Sequence, residues 1–108
     1  DARLADALAD VDTWTLSVLA AGQASVAEWL ASAGRPTIGQ LERVPHVTSD
    51  LTGAVRIEGA AAWFDCRTSA AHPSGDHVIV VGDVLGASRG APGAGSLVHV
   101  NGHLRPVG

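Results

Sequence analysis

"HPSGDHVIVVGDVL", residues 72–85, is the stretch on which the reading of this chain turns. Its first half is a polar corner in which His72 and His77 enclose Pro73, Ser74, Gly75 and Asp76. Its second half is the most apolar run of the chain. A proline at a corner, a glycine able to take positive φ and an aspartate that bonds nearby backbone are what a tight turn needs. The run 78–85 is apolar on both faces, which predicts a central strand covered on both sides. The corner also carries chemistry. An aspartate beside an imidazole can hold one tautomer or raise its pKa toward neutrality. Such an imidazole can donate to a carbonyl or a pyrophosphate at the mouth of a pocket. From the pattern alone, an ordinary turn and a reaction site both remain open.

Working outward, "AAWFDCRTS" (61–69) alternates, with Ala62, Phe64 and Cys66 on one face and Trp63, Asp65 and Arg67 on the other. Period two predicts a strand with Phe64 and Cys66 in the core. "AVRIEG" (54–59) reads as a short strand, and residues 35–54, with Pro36, Pro45 and Gly53, as a long connection. "TWTLSVLA" (13–20) predicts a half-buried strand with Trp14, Leu16 and Val18 inward. Two helices are expected. One covers 1–11, where Leu4, Leu8 and Val11 share a face. The other starts at a capping box of Ser25 and Glu28, buries Val26, Trp29 and Leu30, and stops at Gly34. Downstream, "ASRGAPGAG" (87–95) is a flexible loop. "SLVHVNGHLRPV" (96–107) carries Asn101-Gly102 between β-compatible residues, a strong hairpin signal that pairs Val100 with His103 and His99 with Leu104. The whole is one domain over 1–108, mainly β with helical decoration, and strands at this spacing predict a barrel or sandwich.

Composition removes several classes of function. Seven basic residues against eleven acidic ones give a formal charge of −4, and no basic stripe offers a footprint for nucleic acid. No apolar run has the length of a membrane span, and the acidic start "DARLADALAD" has no signal-peptide pattern. Cys66 is the one cysteine, so no internal disulfide exists, and a reducing cytoplasm is the expected compartment. Mid-strand beside Phe64, it reads as a buried, inert thiol. His99 and His103 straddle the Asn-Gly turn rather than sharing a helix face, so no metal site is expected. No GxSxG elbow is present, and the glycine-rich "GASRGAPGAG" (86–95) lacks the Lys-Ser/Thr of a P-loop.

"AWFDCR" (62–67), "HPSGDH" (72–77) and "VIVVGDVL" (78–85) resemble, in order and spacing, the flavin reductase-like proteins of the FMN-binding split-barrel fold. "WTLSVLAAGQASVAEWLA" (14–31) and "SLVHVNGHLR" (96–105) resemble the strand-turn-helix and closing segments of that family. The resemblance implies a split β-barrel that uses NADH or NADPH to reduce FMN or FAD. It implies a homodimer, often supplying reduced flavin to a partner monooxygenase. It places the nicotinamide at Gly75, Asp76 and His77, with His77 the residue acting in the reductive step. Asn101 and His103 of the closing segment are the further cofactor-binding candidates. There are departures. Ser17 stands where the family often has Asn. Val100, Asn101, His103 and Leu104 replace the usual His, Arg, Arg and Tyr, while Gly102 and Arg105 agree. The family's N-terminal strands, with their Ser/Thr-rich flavin contacts, have no counterpart in these residues, and the chain contains no Met. The sequence is therefore expected to be N-terminally incomplete. The departures leave a second expectation: a non-catalytic flavin-binding or structural split barrel with a degraded site.

Overall fold

The computed structural model describes residues 12–31, 41–100 and 103–107. The expected helix over 1–11, the stop at Gly34 and the turn residues Asn101 and Gly102 lie outside the described residues. In chain order the elements are β1 (Thr13–Val18), α1 (Ala24–Ala31), β2 (His46–Thr48), β3 (Val55–Ile57), β4 (Ala62–Ser74), β5 (His77–Arg89), β6 (Ser96–Val100) and β7 (His103–Val107). They form a three-stranded sheet, β1-β4-β5, and two hairpin-like pairs, β2-β3 and β6-β7, all antiparallel.

The corner at 72–77 is a hairpin turn. Ser74 pairs with His77, leaving Gly75 and Asp76 as a two-residue loop, and Gly75 has φ 61°. Turns with positive φ at the first central position match the right-handed twist of the flanking strands. The register shifts twice along this hairpin. Asp65 pairs with Gly86 but Cys66 with Val84, and Thr68 pairs with Gly82 but Ala70 with Val81. Leu85 and Ser69 are thus the extra residues of two bulges, which bend the ribbon. Gly82, which interrupts the valine run, lies under Trp14: a Cβ built there would meet the indole ring at 2.6 Å. The hairpin β6-β7 has the expected register, Val100 with His103 and His99 with Leu104.

Four expectations need correction. β5 is not central: among the described residues it pairs with β4 alone, and Val78, Ile79, Val81, Val84 and Leu85 are 43–59% exposed. An apolar run shows that a strand needs cover, but it does not say which element supplies it. In β1 the inward face is mixed. Leu16 is 50% exposed, whereas Thr15 and Ser17 make the tertiary hydrogen bonds, because the 49–52 turn and β3 cover their side. The 35–54 connection contains β2, which pairs with β3. The helix begins at Ala24, not behind a Ser25 cap. The Gln23 carbonyl accepts the first helical N–H, from Ala27, at 3.1 Å. The Gln23 side chain accepts from Ala20 N–H and donates to the Glu58 carbonyl, both at 2.8 Å, so it ties the helix entry to the end of β3. Val26, Trp29 and Leu30 are only half-buried.

The core among the described residues is made of modest side chains: Ala20, Val44, Ile57, Ala60 and Cys66. Cys66 is buried as expected, but Phe64 on the same face is only half-buried. Partial burial removes part of the transfer free energy. Phe64→Ala is therefore expected to cost about 1.5–2 kcal/mol in urea denaturation, below the ~3–5 kcal/mol of a fully buried ring. A loss above that range would mean that another surface covers the ring in solution.

Candidate functional site

Two places carry chemistry, at different stations of the long hairpin. The first is its tip. The side chains of Asp76 and His77 are 94% and 82% exposed, with Asp76 Oδ1 3.6 Å from His77 Nε2. That spacing makes an ion pair when the imidazole is protonated and is too long for a hydrogen bond, so the tautomer is not locked. A Cβ on Gly75 would meet nothing within 4 Å. The tip is open: backbone and imidazole both lie free for a ligand to approach. His103 is exposed on β7, and among the described residues no hydrogen bond or ion pair joins it to Gly75, Asp76 or His77. Asn101 lies outside the described residues. The structure therefore brings Gly75, Asp76 and His77 together and does not bring His103 to them within one chain.

The second place is a polar cluster on the face of β4 opposite Cys66. Asp65 is buried, and its Oδ1 accepts from Ser49 Oγ at 2.6 Å and Thr15 Oγ1 at 2.7 Å. The hydroxyls of Thr15 and Thr52 lie 2.7 Å apart. Ser49 Oγ also accepts from the N–H groups of Leu51 and Thr52, at 3.2 and 3.3 Å, which closes the 49–52 turn over the sheet. The Ser49 hydrogen bond, with those of Thr15 and the charge of Arg56, holds the Asp65 carboxyl below the ordinary value of 3.8 although burial opposes it. On the other face, burial and then the Asp65 charge push the Cys66 thiol up, so it stays protonated and unreactive.

Arg56 of β3 completes the cluster. Its guanidinium lies over the Trp63 ring, 4.4 Å from the centroid, and one Nη2–H donates to Ser88 Oγ at 2.8 Å. Trp63 is itself held by donating Nε1–H to the Ile57 carbonyl at 2.9 Å. A cavity of about 250 Å³ opens beside this group. A shallower one, about 400 Å³, follows the 89–95 loop and Ala61. The cluster was missed in the sequence because its members come from four segments. One signal was present: an aspartate inside an otherwise apolar strand, where a buried carboxylate requires partners. Among the described residues no group of three or more His, Cys, Asp or Glu side chains is placed to hold a metal ion, and no helix is long and apolar enough to cross a membrane.

Known proteins extend these observations. The chain is 36% identical over 90 residues to an NADH-dependent FAD reductase of Streptomyces globisporus, covering 82% of this chain and 50% of the relative. It is 36% identical over 107 residues to the reductase component of a 4-hydroxyphenylacetate 3-monooxygenase of Thermus thermophilus, covering 98% of this chain and 63% of that one. Among solved structures, it superposes with a TM-score of 0.90 and 30% identity on a Streptomyces globisporus NADH:FAD oxidoreductase in complex with NAD and FAD fragments, over 100% of this chain and 63% of that one. The flavin reductase component of a bacterial two-component tryptophan halogenase gives 0.89 and 37%, over 99% of this chain and 67% of that one. The chain thus spans between half and about two thirds of these relatives. The flavin reductase like domain matches residues 1–108, and with folds this similar over the full length, the chain belongs to that family, mainly β and of the split-barrel kind.

Proposed function

We infer that the protein is an NAD(P)H-dependent reductase of FMN or FAD, and that it serves as the reductase component of a two-component monooxygenase. The observation that carries this reading is the family match over residues 1–108 with Gly75-Asp76-His77 presented at an open hairpin tip. Relatives named as an NADH-dependent FAD reductase and as a monooxygenase reductase component support the cofactor pair and the partner. Hydride transfer is chemistry that the two cofactors supply; the task left to the chain is binding and orientation. The tip fits that task as a docking edge. Gly75 leaves room for a flat ring, and His77 offers an unengaged ring nitrogen to a carboxamide or a flavin edge. Asp76 supplies the nearby charge that favours a protonated, donating imidazole.

An exposed tip does not enclose a ligand, and His103 is not beside it. A homodimer answers both points. A second copy seated along β5 would cover its exposed valines and unpaired edge and would form the other wall of the site. Asn101 and His103 are proposed to meet the flavin in that assembly. The supply of NAD(P)H and the single thiol, Cys66, suit a cytoplasmic setting.

The test follows the oxidation of NADH and of NADPH by absorbance with FMN and with FAD. Turnover with at least one pair is expected. His77→Ala should lower kcat/KM for the nicotinamide about tenfold, the worth of one hydrogen bond to a charged group, with Tm unchanged because the side chain is exposed. A lowered Tm with intact kinetics would make the residue structural. The open tip also favours a second reading, a flavin-binding split barrel without reductase activity. Flavin binding with no NAD(P)H oxidation would select it.

A further inference from the structure

Arg56 Nε is the one buried side-chain nitrogen or oxygen among the described residues that has no hydrogen-bond partner. The rest of its guanidinium is fixed: Trp63 lies under one face, and Ser88 Oγ takes an Nη2–H. A buried N–H without an acceptor costs about 1–3 kcal/mol, so a group that supplies the acceptor recovers that amount. The guanidinium borders the 250 Å³ cavity lined by Ser49, Asp50, Leu51, Arg56, Asp65 and Ser88 together with residues 86 and 87.

The lining chooses the ligand class. Two carboxylates face one guanidinium, so the cavity has an excess of negative charge and disfavours phosphate or a carboxylic acid. The polar lining combines a strong donor, two carboxylate acceptors and two hydroxyls that can act either way. Only Leu51 and Ala87 offer apolar side-chain surface, too little for a flat aromatic ring. A neutral chain of adjacent hydroxyls matches this set, since each oxygen can accept from Arg56 while its own proton goes to Asp50, Asp65 or a serine. We propose that this cavity binds a polyhydroxyl chain of the ribityl or ribose kind, with Arg56 Nε as its donor. The proposal rests on the flavin reductase reading for the identity of the molecule that carries the chain. The cavity lies about nine residues along β5 from His77, roughly 25–30 Å in an extended strand, so a flavin held here would meet the nicotinamide edge of a different copy.

Riboflavin and lumiflavin share the ring system, but lumiflavin has a methyl in place of the ribityl chain. Both are titrated by flavin fluorescence, and NADH by tryptophan quenching, against the full chain and two variants. Arg56→Met removes the donor; Ser88→Glu, at an exposed position, places a carboxylate that captures the guanidinium and fills the cavity. Thermal melts report whether each variant is folded, and if Arg56→Met is not, Ser88→Glu decides alone. The unaltered chain should prefer riboflavin over lumiflavin by about tenfold, and both variants should abolish that preference while lumiflavin binding stays unchanged. A tenfold loss confined to NADH would assign the cavity to a nucleotide ribose and also supports the proposal. Riboflavin and NADH bound equally well by the unaltered chain and both folded variants would overturn the proposal and leave the flavin reductase reading intact. Binding of none of the three probes by the unaltered chain would remove that reading, and the proposal with it.

Discussion

Asp65→Ala is expected to lower stability by about 3 kcal/mol, near 10–20 °C in Tm for a domain of this size. The variant loses two hydroxyl-to-carboxylate hydrogen bonds, at 2.6 and 2.7 Å. It also leaves Ser49 and Thr15 without their acceptor and Arg56 without its nearest stated counter-charge. The 49–52 turn is fastened to the sheet through this one carboxylate, so local opening of the turn should accompany the loss. The pH dependence has a definite sign. The folded-state pKa of Asp65 lies below its ordinary value of 3.8. Its contribution is then fully present above that value and is lost as pH falls through the lower folded pKa. Urea midpoints at pH 7 and at pH 3 and below test this. The gap between the parent chain and Asp65→Ala should narrow in acid; a gap independent of pH would mean that the hydroxyls pack there without the charge.

Gly90→Ala should be at least as damaging. A Cβ at Gly90 would stand 2.0 Å from the Ala60 carbonyl oxygen, which is backbone and cannot rotate away. The Gly90 N–H meanwhile donates to the Ala61 carbonyl at 2.8 Å, so the two segments cannot separate without losing that bond. A loss of about 3 kcal/mol or more is expected, at the upper end for overpacking. Gly22→Ala is the matched control: nothing lies within 4 Å of its added carbon, and a change within about 0.5 kcal/mol is expected. Equal, small effects at both positions in chemical denaturation would show that the chain around Ala60 yields more easily than this packing implies.

The strands whose signals are local were legible in the sequence. Glycine at 75 beside Asp76 named a turn, and the structure closes it between Ser74 and His77. Asn101-Gly102 set the register of β6 on β7. Period two also separated Cys66 from Asp65 onto opposite faces. What that alternation could not show is that both faces are covered at this point, one by Trp14 and the other by the 49–52 turn.

The candidate site divides in the same way. Gly75, Asp76 and His77 are adjacent in sequence, so their union at one tip needs only a turn, and it was readable. Asp65, Ser49, Thr15 and Arg56 come from β4, a connection, β1 and β3, and no spacing rule joins residues so far apart. The valine run told of burial without naming the cover, and in the described residues β5 is an edge. By itself the sequence determined the elements whose information is carried by neighbours: turns, alternation and hairpin register. Only the tertiary structure decided which polar side chains share a carboxylate, where a glycine admits an indole or a carbonyl, and which strand is left at the edge. Those outcomes depend on contacts between distant segments, and such contacts are set by packing and desolvation rather than by local backbone preference.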